Sequence, residues 1–428
     1  MRKVAFYTLG CKVNQYETEA MSELFKNKDY KIVDFEEYAD IYIINTCSVT
    51  SMSDRKSRQI IRRAKKHNEN AIVIVTGCYA QTAADEVLKI DGVNAVIGNH
   101  NKCNIVEICE SLSPASSYNA VFDIMNSHEF ENLTINNYES RTRAFIKIQD
   151  GCNQFCSYCI IPYARGPIRS RDEESILDEI KKLADNGFRE VILTGIHVAS
   201  YGFDTNTNLA SLVLKIDGID GIDRIRLSSI EPMAIDYTFI EMVKSSKKLC
   251  RHFHLSLQSG CDETLHRMNR KYTTAEFMDI VNGIRDIFPD AAITTDIMVG
   301  FPGETDEEFE KSLEFVNKVQ FGDAHIFQYS PRRGTPAAKK KQIPPTVKEH
   351  RSKLMISATD KTRADFIRQF EGQTMDVLFE RSNDGVYEGK TNNYIPVFVK
   401  SDTDISNKLL DVKMVEAKSS YLSGEIVK

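Results

Sequence analysis

Cys152, Cys156 and Cys159 stand in the run Gly151-Cys-Asn-Gln-Phe-Cys-Ser-Tyr-Cys-Ile160, with three and then two residues between them. Thiolates are soft donors suited to iron–sulfur clusters, and a four-iron cube ordinarily takes four of them. Three leave one iron open, which is wasted in an electron carrier but useful for holding a substrate. A zinc site would pair Cys-x-x-Cys with a second such pair or with histidines, and none follows. A disulfide framework does not suit a chain of 428 residues without a secretory signal.

A second set of cysteines is spread more widely. Runs 4–8, 41–45 and 71–76 are short, apolar and rich in β-branched residues, as buried parallel strands are. Helical stretches, about 16–27 and 53–66, lie between them and predict a parallel sheet covered on both faces. Cys11, Cys47 and Cys78 each fall just beyond the carboxyl end of one strand, the edge where open α/β sheets bind ligands. Free cysteines are often small buried residues, but the shared strand-end position predicts a second three-thiolate site.

Both sets lie in recognisable motifs. Cys-x3-Cys-x-aromatic-Cys, with Tyr158 as the aromatic, resembles the signature of radical S-adenosylmethionine (SAM) enzymes. Thr8-Leu-Gly-Cys-Lys-Val-Asn-Gln-Tyr-Glu-Thr-Glu19, Asn45-Thr-Cys-Ser-Val-Thr50 and Thr76-Gly-Cys-Tyr-Ala-Gln81 resemble the amino-terminal domain of the methylthiotransferases. The resemblance runs from about residue 3 to 428. It implies two 4Fe–4S clusters. One, on Cys152, Cys156 and Cys159, binds and splits SAM. The other is an auxiliary cluster on Cys11, Cys47 and Cys78 that carries the sulfur to be transferred. The segment around Lys12 and Val13 looks most like the branch acting on N6-threonylcarbamoyladenosine beside the tRNA anticodon. The isopentenyladenosine branch more often shows Gly-Cys-Gln-Met-Asn, and the branch modifying a ribosomal-protein aspartate Gly-Cys-Pro-Lys-Asn. The implied partners are that tRNA, a low-potential electron donor such as flavodoxin or ferredoxin, and a sulfur source.

β-like runs recur at 144–149, 190–194, 224–229, 253–258, 293–299 and 324–329, with helical patterns between them, for example at 173–186 and 274–287. Six such units predict a partial (βα)6 barrel, the fold the resemblance also implies, with chemistry on loops at the strand carboxyl ends. The cluster cysteines follow the first strand. Thr194-Gly-Ile-His197 ends the second and looks like the family loop that holds the SAM amino group. Thr194, Gly195, Glu231, Gln258 and Asp296, at successive strand ends, are the candidate SAM contacts beside Tyr158. His197 could equally be a hydrogen-bonded core group.

The expected division is an α/β unit at 1–111, a Ser- and Asn-rich linker at 112–139, the SAM barrel at 140–371 and a small β-barrel at 372–428, similar in place and size to a TRAM domain. That last segment carries seven Lys and Arg against nine Asp and Glu, a poor surface for phosphate. Better basic candidates are Arg55, Arg58, Arg62 and Lys65, which share one helix face, widened by Lys56, Arg63 and Lys66. Others are Arg165, Arg169 and Arg171, the run Arg267, Arg270 and Lys271, and Lys339 to Lys341.

The net charge of −6 does not announce a nucleic-acid binder, so RNA contact has to be local. The chain opens directly on a strand-like run and contains no apolar stretch of membrane-spanning length. With ten cysteines, the expectation is a cytoplasmic metalloenzyme. Cys103, Cys109, Cys250 and Cys261 show no paired spacing and read as buried small hydrophobes. A reading of another class, an iron–sulfur electron-transfer or RNA-binding scaffold protein, leaves the open iron and the six-unit barrel without a use.

Overall fold

The computed structural model describes residues 1–48, 51–135 and 142–427, apart from the side chains of residues 51 and 52. Ile41–Thr46 and Ile72–Gly77 are buried along their whole length, as β-branched runs covered on both faces must be. They form the centre of a six-stranded sheet whose order is Lys31–Val33, Lys3–Thr8, Ile41–Thr46, Ile72–Gly77, Ala95–Ile97 and Tyr118–Ala120, every pair parallel. One apolar core lies on each face of this sheet.

The sixth strand corrects the expected linker. Tyr118–Ala120 extends the sheet by pairing with Ala95–Ile97, and Leu133 and Ile135 are buried against Tyr16 and Ala20. Three residues of backbone pairing leave no periodic pattern in a polar sequence, so the strand was invisible. Residues 136–139 of that run lie outside the described residues, as do Val49 and Thr50 of the second cysteine motif and residues 140 and 141 at the start of the expected barrel.

The six barrel strands are Arg143–Lys147, Glu190–Thr194, Arg224–Leu227, His252–His254, Ala292–Val299 and Asp323–Gln328. They make two parallel three-stranded halves, joined by single bridges at Ile225–Leu249 and Ile230–Leu255. A continuous apolar core unites strands and surrounding helices. Capping boxes at Thr273/Glu276 and Thr305/Glu308 start the helices Thr274–Ile287 and Asp306–Val319. The fourth strand stops at His254, earlier than expected, and Gln258, at a left-handed φ of 66°, meets the neighbouring strand through an isolated bridge to Ile297.

After the helix Pro345–Arg368, five strands close into a barrel with its own core. This small barrel packs against the amino ends of SAM-barrel strands. Arg224 donates to Lys390 O and Asp376 O, both at 2.8 Å, and Arg143 pairs with Glu380 at 2.8 Å. Tyr394 stacks on His252, ring centroids 4.7 Å apart, beneath the Arg226 guanidinium at 4.6 Å.

Candidate active site

The first cysteine set converges at the carboxyl edge of the amino-terminal sheet. Cys47 directly follows Ile41–Thr46, Cys11 precedes the helix Lys12–Lys26, and Cys78 opens the short helix Cys78–Thr82. Two glycines allow the approach. Gly10, at φ 105°, lies so close to Cys47 that an added Cβ would stand 2.7 Å from its Cβ and 2.9 Å from its Sγ. Gly77, at φ 95°, would meet Thr46 O at 2.4 Å. Asn14 ties the turns together, donating to Leu9 O at 2.7 Å and Thr46 O at 2.9 Å. Burial pushes the Cys11 thiol up, with the Arg165 guanidinium acting in the opposite sense.

Beside Cys78 lies a buried charged network that sequence reasoning misread. Arg165, Arg169 and Arg171 were expected at an RNA surface, yet they are 0%, 2% and 1% exposed. Arg165 pairs with Glu17 at 2.5 Å and donates to Asn14 Oδ1 at 2.6 Å and, from Nε, to Cys78 Sγ at 3.4 Å. Arg169 lies 3.6 Å from Asp150, and Arg171 pairs with Glu179. A buried guanidinium needs such partners, and its carboxylates come from distant elements that no local pattern joins. Lys102 and Lys147 each reach Glu17 at 2.7 Å, and Lys147 also reaches Asp150 at 2.7 Å. Burial opposes the charge on Glu17, but Arg165, Lys102 and Lys147 together hold its carboxyl well below the usual range. Four cations thus surround two carboxylates, leaving positive charge over at the wall that carries Cys78.

The second set sits in the loop after the first barrel strand. Cys152 N–H bonds Gly166 O at 3.0 Å and Cys159 N–H bonds Cys156 O at 2.9 Å. Burial pushes the Cys152 thiol up to about 11 and the Cys159 thiol to about 12; iron offsets this by deprotonating its ligands. Arg270, expected in an exposed basic run, is instead buried. It donates to Cys156 Sγ at 3.4 Å, Glu231 Oε2 at 2.7 Å and Ser256 O at 2.9 Å. Its neighbour Arg267 pairs with Glu308. Tyr158 packs edge-on against Phe301 at 6.2 Å.

Among the described residues no three His, Cys, Asp or Glu side chains close around a single ion. A cube asks for something else, since each thiolate binds its own iron. All-thiolate donor sets, N–H groups aimed at Cys78 and Cys156, and surplus cations beside Cys78 fit two anionic iron–sulfur clusters.

Beside Cys11 a cavity of about 1040 Å³ opens in the barrel lumen. Cys11, Lys12, Thr194, Gly195 and Asp296 line it, and Tyr394 and His252 are at its far end. Glu231, Gln258 and Tyr158 are not among the described residues lining it; Glu231 instead meets the cysteine loop through Arg270. Burial opposes charge on Asp296, but hydrogen bonds from His254 and His325 hold the carboxyl below its ordinary range. His197 is buried with neither ring nitrogen partnered by any described residue, and burial pushes it down to about 4.

On the exterior, Arg55, Arg62, Lys56, Arg63 and Lys66 are exposed along the helix Ser51–His67, while Arg58 is half-buried and donates to Tyr79 Oη at 3.0 Å. Lys339, Lys340 and Lys341 are exposed, and Ala337 N–H bonds Ser157 O within the cysteine loop at 2.9 Å. Of the four remaining cysteines, Cys109, Cys250 and Cys261 are buried as expected, but Cys103 is exposed. It sits in a surface turn, Lys102–Asn104, that no apolar pattern marks.

Three family profiles match the chain. The Radical SAM superfamily covers residues 146–316, Uncharacterized protein family UPF0004 residues 3–98, and the TRAM domain residues 368–427. The chain is 41% identical to the threonylcarbamoyladenosine tRNA methylthiotransferase MtaB of Bacillus subtilis, over 100% of this chain and 97% of that protein. It is also 41% identical to the MtaB of Aquifex aeolicus, over 92% and 96%. The tRNA-2-methylthio-N(6)-dimethylallyladenosine synthase of Clostridium novyi is 36% identical over 98% and 95%. Among solved structures, the radical SAM methyltransferase TsrM of Kitasatospora setae aligns with a TM-score of 0.60 at 16% identity, over 79% of this chain and 74% of that one. That likeness concerns the fold alone.

Proposed function

The chain belongs to the radical SAM methylthiotransferase family, and from that premise we propose that it adds a methylthio group to C2 of N6-threonylcarbamoyladenosine next to the tRNA anticodon. The observation that carries this reading is the 41% identity, spanning the whole chain, to enzymes named for that nucleoside. Cys152, Cys156 and Cys159 would hold the SAM-binding 4Fe–4S cluster, and Cys11, Cys47 and Cys78 the auxiliary one. When bound, these groups supply a deoxyadenosyl radical and the sulfur that becomes the methylthio group.

The chain's own residues bind, orient and exclude water. Arg270 steadies the cysteine loop by joining Cys156 to Glu231. Arg165 does the same for the auxiliary site by joining Cys78 to Glu17. Thr194, Gly195 and Asp296, on the cavity wall, would contact SAM. The small barrel packs at the amino end of the lumen and lines part of the cavity. Arg55, Arg62 and the run Lys339 to Lys341 would meet tRNA phosphates, which positive surface attracts.

The partners this chemistry requires are a low-potential electron donor, such as flavodoxin or ferredoxin, and a sulfur source. No described helix is long and apolar enough to cross a membrane, and the proposed setting is the cytoplasm, where tRNA is modified. Reconstituted protein given SAM, a reductant and tRNA carrying N6-threonylcarbamoyladenosine should release 5′-deoxyadenosine and form the 2-methylthio nucleoside. Formation of neither would remove the reading.

A further inference from the structure

Six charged side chains line the lumen cavity, and five of them have an ion-pair or histidine partner. Asp296 meets His254 at 3.4 Å and His325 at 3.3 Å, Asp323 meets Arg363 at 3.3 Å, and Glu388 pairs with Arg381 at 2.7 Å and Lys390 at 3.8 Å. The sixth is Lys12. Among the described residues its ammonium has no carboxylate within ion-pair distance; it faces the Phe145 ring, 5.8 Å from Nζ, and interacts at longer range with Tyr394, Arg143, Arg226 and Glu190. Phe145 lies in the middle of the first barrel strand, Arg143–Lys147, so Lys12 leaves the cysteine turn and projects into the lumen. Arg143, Arg226 and Lys390 converge on Tyr394 at the far end, where Glu380, Glu190 and Glu388 pair with them in turn.

Lys12 is exposed to the solvent of this open cavity, and an unpaired ammonium on its wall offers a charge-assisted contact to an anionic ligand. In the proposed function SAM is held at the cluster of Cys152, Cys156 and Cys159, none of which lines the cavity beside Lys12, so SAM does not fill this role. The substrate there carries a second carboxylate, on the threonyl arm of its modified base. We propose that Lys12 forms an anion subsite in the barrel lumen that receives the threonylcarbamoyl carboxylate and so selects the acidic nucleoside over neutral N6-substituted adenosines. This rests on the substrate reading given under the proposed function. A cavity of about 1040 Å³ has room for the arm and its base, being at the upper end of the roughly 300–1,000 Å³ of small-molecule sites.

The test uses the cluster-loaded enzyme and three anticodon stem-loop RNAs, carrying N6-threonylcarbamoyladenosine, its threonine methyl ester, or N6-isopentenyladenosine. Wild-type protein should bind the acid about tenfold or more tightly than the ester, the size of one charge-assisted contact. Lys12→Gln should bring acid and ester to equal affinity, and Lys12→Arg should restore most of the preference. Iron and sulfide content reports whether each variant folds and loads. Equal wild-type affinity for acid and ester overturns the subsite without any variant, and a preference that persists in loaded Lys12→Gln overturns it as well. If wild type methylthiolates the isopentenyl RNA and neither of the others, the substrate reading itself has failed, and the subsite with it.

Discussion

Arg165 donates its Nε–H to Cys78 Sγ at 3.4 Å, although the two residues lie 87 positions apart. The contact joins the loop of one cysteine set to the strand end of the other. Hydrogen bonds to cluster sulfurs raise reduction potential. Arg165→Lys, which keeps the charge but not the fork geometry, should move the auxiliary cluster's potential to more negative values. An unchanged potential in an EPR-monitored titration would show that the contact does not act on the cluster.

Glu17 is the buried anion shared by Arg165, Lys102 and Lys147. Glu17→Gln leaves Asp150 as the one carboxylate against Arg165 and Lys147 and none against Lys102, and breaking a buried pair costs about 3–5 kcal/mol. We expect a large drop in the urea midpoint. A change under about 1 kcal/mol would mean that water or an anion already compensates the site.

His197 gives a pH dependence of known sign. Its folded pKa of about 4 lies below the ordinary 6.5, so the folded chain binds fewer protons than the unfolded one. Stability is therefore full above about 6.5 and declines as pH falls towards 4, by about 1 kcal/mol per pH unit at most. Between pH 7.5 and 5.5 the urea midpoint should fall, and His197→Asn should flatten the decline. The same slope in both proteins would assign it to another group.

Much of this was readable beforehand. The β-branched runs at 41–45 and 71–76 are local signals, and each lies in a strand as expected; the helical pattern at 274–287 likewise matches the helix Thr274–Ile287. The arginines at 165, 169 and 171 were not readable, because a run of cations in sequence ordinarily means a wet face. Their partners Glu17, Asp150 and Glu179 come from other elements, and only the fold brings them together. Lys12 was legible as a branch marker but not as a cavity-lining charge, since its surroundings come from the barrel strand carrying Phe145 and the distant loop carrying Tyr394.

The exposed helix face offers a binding test. Arg55→Glu combined with Arg62→Glu should weaken tRNA affinity roughly tenfold near 0.1 M salt and reduce the salt slope by about 2, one for each lost phosphate contact. Both side chains are exposed, so the melting temperature should barely move. Unchanged affinity would place the tRNA elsewhere, with Lys339 to Lys341 next to be examined.

The cysteine sets should separate by function. Cys156→Ala should abolish 5′-deoxyadenosine formation. Cys47→Ala should retain part of it while giving no methylthio product, and each variant should hold about half the iron of the intact protein, as one of two equal clusters would. Equal loss of both activities in Cys47→Ala would contradict the division of labour.

The most direct measurement is mass spectrometry of tRNA nucleosides from cells lacking this gene and from the same cells re-expressing it. The account predicts that 2-methylthio-N6-threonylcarbamoyladenosine disappears and returns, while its unmethylthiolated precursor accumulates in between. A change confined to the isopentenyl nucleoside, or in no tRNA nucleoside, would contradict it.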